Sequence, residues 1–155
     1  MKLKTYQKNI LHMFVIVVGG FILFNVAFFL AFLVNRAYML LIMIFTHNIE
    51  NIGAMRFSWH YVYIVVVLIL SWFVFRTKLN DLAKSTFSTM PLIVLLTEVG
   101  IRFYQSPLMV YIICSAIVGA ILLYLYNTKR SWLYYFAVFY VVAVGIFVML
   151  TGMEI

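Results

Sequence analysis

The 155-residue chain is poor in what soluble proteins use most. Charged residues make up 10% of it, and only four of those are acidic. Soluble domains carry about a quarter charged residues, so a water-exposed globule is excluded. Cys114 is the one cysteine, which rules out a disulfide within the chain. Its apolar surroundings give it the role of a small polarizable hydrophobe. Two prolines and no Ser/Gly-rich tract leave nothing to build a linker or a low-complexity tail. Asp81 is the only aspartate, so paired aspartates are impossible. The H-E-x-x-H, G-x-S-x-G and Walker-type signatures are missing as well. No cofactor is expected, and a membrane enzyme using Glu98 or the histidines is a distant third reading.

What the chain has is apolar length. Its hydrophobic fraction is 67% and its mean hydropathy is +1.13. The pattern predicts an all-α, polytopic integral membrane protein in one domain, a bundle of five transmembrane helices. The spans fall at 10–34, 59–75, 86–104, 107–126 and 131–150. The first is retained rather than cleaved: it is far longer than the roughly 7–15 residues of a signal h-region. At about 1.5 Å per residue it covers roughly 37 Å, enough to cross with tilt. The apolar stretch 37–45 is too short to cross alone. It is read as interfacial, as re-entrant or as an extension of the first helix. The segment Arg76–Ser85 reads as a basic, polar loop, with Asp81 a solvated member of it.

The net charge of +7 comes from basic residues that flank hydrophobic segments. They set orientation, and no nucleic-acid partner is expected. With five spans the termini lie on opposite sides. Lys2, Lys4, Lys8, Arg76, Lys78, Lys84, Lys129 and Arg130 then share the inner side, against Arg36, Arg56 and Arg102 outside. This predicts the N-terminus in and the C-terminus out, in the cytoplasmic membrane of a prokaryote.

The polar residues inside the spans carry the candidate chemistry. Glu98 and Arg102 are four apart and share a helix face, and Thr97 and Gln105 extend that stripe. An intramembrane carboxylate is costly and is expected to be paired and turned inward. The pair is either a proton- or ion-responsive site or a self-neutralising packing element. Asn25, alone in the first span, is expected to bond a neighbouring helix. A second group, Arg36, His47, Glu50, Arg56, His60 and Tyr104, falls on the outer side. His47, Glu50 and His60 include zinc-type ligands, but their spacing fits no standard metal motif. By topology this group and the Glu98 stripe could converge on one outward-facing polar site.

Small residues predict where helices meet. Ser115/Gly119 and Ala116/Ala120 make two small-xxx-small spacings in the fourth span, and Gly19 with Gly20 gives the first span a small face.

The stretch SPLMVYIICSAIVGAILLYLYNTKR, Ser106 to Arg130, is similar to the last span of the PsiE-like phosphate-starvation-inducible membrane proteins. They share an S-P-L start and an N-x-K-R end to that helix. This chain departs from them in having a fifth span, and the charge pattern of its third span differs. The resemblance implies a small inner-membrane protein and no particular activity.

These features lead to two expected function classes. The first is a transport-related or accessory subunit that associates with a membrane-protein partner, or with its own copies, among membrane lipid. The second is an autonomous small transporter or channel built on Glu98 and Arg102.

Overall fold

The structure, a computed structural model, describes residues 5–45 and 59–151. It is all-α: α1 (Thr5–Phe45), α2 (Trp59–Arg76), α3 (Asp81–Arg102), α4 (Pro107–Asn127) and α5 (Trp132–Thr151). All five are long and apolar enough to cross a membrane. Large apolar side chains such as Phe21, Phe29, Leu68, Phe73, Leu123 and Phe139 stand exposed around the bundle. That much outward apolar surface suits lipid, in a multi-pass membrane protein.

α3 is the hub, packing against all four other helices, while α4 lies at the edge, chiefly on α3 and α5. The main core joins Ala27 of α1, Tyr63 and Val67 of α2, Met90, Ile93 and Val94 of α3, Leu125 of α4 and Val138 and Val141 of α5. A smaller cluster of Ile16, Leu133 and Ala137 closes the end where α5 begins. Tyr63 Oη donates to the carbonyl of Ala27 at 2.9 Å and ties α2 to α1.

α3 begins before the apolar window that sequence marks at residue 86. The Asn80 side chain accepts from the Ala83 N–H at 2.9 Å, and Asp81 occupies the first turn. A capped, acidic first turn lets the helix start among polar residues. The Arg76–Ser85 segment is therefore mostly helix, and only 77–80 connects. In the first half of α3, the hydroxyls of Ser85 and Thr86 donate to the Leu82 carbonyl, Ser88 to Ser85 and Thr89 to Thr86. Each polar group is satisfied within its own helix, so Ser85 and Thr89 can be wholly buried.

α1 is one uninterrupted helix of 41 residues, about 60 Å long. The stretch 37–45 continues it. Ile16 meets the start of α5, and Ala31 lies beside Trp59 at the start of α2. Its first turn, residues 5–8, is exposed, whereas beyond Ala31 the stripe Val34, Tyr38 and Ile42 stays partly or wholly covered.

The α4–α5 turn closes with Arg130 N–H on the Leu125 carbonyl and Lys129 N–H on that of Tyr126. Lys129 takes the left-handed φ of 48° that this capping motif requires, a position usually given to glycine.

A candidate ligand site around His60 and Glu98

His60 is the second residue of α2, and Glu98 lies one turn before the end of α3. Because α2 and α3 run antiparallel, these two positions meet at the same end of the bundle. His60 Nδ1 lies 2.8 Å from Glu98 Oε1 and 3.0 Å from Oε2. A ring nitrogen facing two carboxylate oxygens carries the proton and donates it. Both side chains are largely shielded, at 22% and 16% exposure. The Trp59 ring lies against the imidazole, with centroids 3.9 Å apart.

The expected Glu98–Arg102 pair is not what forms. Among the described residues the one close contact between a basic side chain and a carboxylate is His60 with Glu98, an ion pair when the imidazole is protonated. Arg102 instead sets its guanidinium over the Tyr61 ring, 5.1 Å from the centroid. The physical reason is position. Arg102 ends α3 with an exposed, flexible side chain, and an aromatic face on α2 offers it cation–π contact. Glu98 sits a turn deeper, where the short, rigid imidazole already reaches it.

Two cavities meet at this pair. One is a groove of about 210 Å³ between α1, α2 and α3, lined by Phe24, Ala27, Phe28, Ala31, Trp59, Tyr63, Ile93, Val94 and Thr97. The other is a vestibule of about 690 Å³ at the α3–α4 turn, lined by Tyr61, Arg102, Phe103, Tyr104, Gln105 and Ser106. His60, Glu98 and Ile101 line both. The pair is thus a common wall, with a mostly apolar slot on one side and polar groups on the other. The vestibule is rich in donors, and its one carboxylate is occupied by His60. The site can hold a proton between two side chains, offer donors to an anion and shelter an apolar group.

The remaining candidates divide. Thr97 lines the groove, and Tyr104 and Gln105 line the vestibule. Arg36 stacks on Phe32 of its own helix, 5.2 Å from the ring centroid, and lines neither cavity. His47, Glu50 and Arg56 lie outside the described residues. Asn25 corrects its expectation: its amide donates to the Phe21 carbonyl at 2.8 Å, one turn back on α1. It is exposed, with no helix opposite, so its own backbone supplies the acceptor.

Gly19 and Gly20 do mark close helix contact. A Cβ on Gly19 would fall 2.5 Å from Thr86 Cγ2, and one on Gly20 would fall 2.7 Å from Tyr140 Cε1. The α4 face is different: Ser115, Ala116 and Ala120 are exposed, and a Cβ on Gly119 would meet nothing within 4 Å.

Sequence reasoning missed Trp59, Tyr63 and the α1 residues of the groove. The i,i+4 spacing of Trp59 and Tyr63 beside His60 was the available signal. Ala27 and Ala31, four apart, read in sequence as a small face for helix packing, and in the structure they line the groove. No protein-family model matches the chain, and there is no match among curated proteins or among solved structures.

Proposed function

We propose that this chain is a small transport-related protein of a prokaryotic cytoplasmic membrane, crossing it five times with its N-terminus inside. Its working part is the outward-facing site at His60 and Glu98. The observation that carries this reading is the shared wall: a charge-assisted pair separates a polar vestibule from an apolar groove. Buried ionisable groups within membrane helices mark substrate or ion pathways more often than bulk packing. The orientation rests on charge, since six of the eight basic residues among the described ones, Lys8, Arg76, Lys78, Lys84, Lys129 and Arg130, lie at the opposite end from the site.

A second reading is favoured by α4. Gly19 and Gly20 are matched to neighbours, whereas the Ser115/Gly119 face is left without one. An accessory subunit would use that face to bind a larger membrane protein.

Native mass spectrometry of the tagged chain, released gently from its own membrane, tests both. A bound small molecule that His60→Ala removes supports the first reading. A stoichiometric second protein that Ser115→Leu with Gly119→Leu removes supports the second. A bare monomer, identical in all variants, refutes both.

A further inference from the structure

We propose that the vestibule and the groove together bind one long-chain fatty acid from the bilayer, its carboxylate in the vestibule and its chain in the groove. This rests on the reading of the His60–Glu98 site as a ligand site, and it adds the ligand's class.

The head is assigned by the donors. Arg102, Gln105, Ser106, Tyr61 and Tyr104 surround the vestibule with groups that donate hydrogen bonds. Both oxygens of Glu98, its carboxylate acceptor, already face His60. Arg102 is donor-only, so a ligand that satisfies it must bring acceptors. Among the described residues Arg102 makes no ion pair; it lies against Tyr61, so its outer N–H groups can take a carboxylate in a fork. The start of α4 adds to this field. Its N-cap, Ser106, makes no side-chain cap bond; Pro107 has no N–H and the Val110 N–H bonds the Ser106 carbonyl, so Leu108 and Met109 carry the N–H groups of that first turn without a helical partner.

The tail is assigned by the groove. It is mostly apolar, and its 210 Å³ is below the roughly 300 Å³ at which pockets for whole small ligands begin. That is room for part of one chain and not for two. The small side chains Ala27 and Ala31 open the slot, while Phe24, Phe28 and Ile93 bound it. Ile101, with His60 and Glu98, lines both compartments, so the groove and the vestibule adjoin there. A one-chain amphiphile with an anionic head matches both compartments at once.

Trp59 lines the groove and reports on it. Trp72 and Trp132, the other two tryptophans, sit near the end of α2 and at the start of α5, at the opposite end of the bundle. In a Trp72→Phe, Trp132→Phe background of the full chain in neutral detergent, a mid-chain dibrominated stearic acid is titrated against Trp59 fluorescence. Saturable quenching is expected, with the dibrominated stearyl alcohol much weaker. Arg102→Gln should weaken the acid about tenfold or more while leaving the alcohol unchanged. Ala31→Phe, which fills the slot, should abolish quenching by the acid. Arg102→Gln is at the exposed end of α3 and keeps the test usable if Ala31→Phe does not fold. Equal quenching by acid and alcohol overturns the proposal. So does an acid titration unchanged by Arg102→Gln. If the native protein carries a His60-dependent adduct but the acid does not quench, the ligand class falls and the site reading stands.

Discussion

Gly19→Ala puts the α1–α3 contact to a quantitative test. The new methyl would stand 2.5 Å from Thr86 Cγ2. Thr86 is β-branched in a helix, and its hydroxyl donates to the Leu82 carbonyl at 2.8 Å. Few rotamers are open to it, so it cannot simply swing away. Either that hydrogen bond breaks or α1 and α3 separate. Overpacking of this kind costs about 1–3 kcal/mol. Against it, replacing glycine by alanine within a helix gains about 1 kcal/mol. The net expectation is a loss of up to about 2 kcal/mol. Gly119→Ala supplies the control. With nothing within 4 Å of its Cβ, it keeps the propensity gain and pays no strain. The two substitutions are chemically identical and should differ in sign. Thr86→Ser removes Cγ2 and keeps the hydroxyl, so in the Gly19→Ala background it should restore stability, with a coupling of about 1 kcal/mol or more. The assay is dodecyl-sulfate unfolding in mixed micelles, followed by helical circular dichroism. If Gly19→Ala and Gly119→Ala shift the midpoint alike, the close approach of α1 and α3 is wrong.

Two further outcomes follow from the site and its orientation. In the same assay, a double-mutant cycle of His60→Ala and Glu98→Ala should show coupling of about 1 kcal/mol or more, the low end for charge-assisted bonds because the pair is partly exposed. A cycle of Arg102→Ala with Glu98→Ala should show much less; the reverse ranking would restore the Glu98–Arg102 pair. In a Cys114→Ser background, a cysteine at Gln105 should react with an impermeant maleimide on intact cells, and one at Lys78 only after lysis. Reaction of Lys78→Cys on intact cells would invert the topology.

The helices were legible in the sequence because length and apolar composition decide them. The start of α3 was not, because a run of Lys, Ser and Thr reads as a loop until the carbonyl partners of its hydroxyls are known. The importance of Glu98 was visible from its cost in an apolar helix. Its partner was not: His60 lies 38 residues away, and local spacing pointed to Arg102 instead. Helical periodicity identifies residues on one face of one helix, whereas the groove takes its walls from three. The small-residue spacings carried the same limit. Gly19 and Gly20 are filled by neighbours and the Ser115/Gly119 face is not, and both read alike in sequence.

The centre of the bundle is its least hydrophobic helix, and this bears on synthesis. When α3 leaves the ribosome, α1 and α2 are already made and can receive it. α5, which supplies Tyr140 beside Gly20 and Thr89, arrives last. Until then the Ser85–Thr89 face of a nascent chain lacks one of its covers, and Lys84 lies just before it. A chain stopped at Ser131 is therefore a natural substrate for membrane quality control. In pulse-chase labelling it should decay several-fold faster than the full chain, and equal lifetimes would mean that α1, α2 and α4 are sufficient cover.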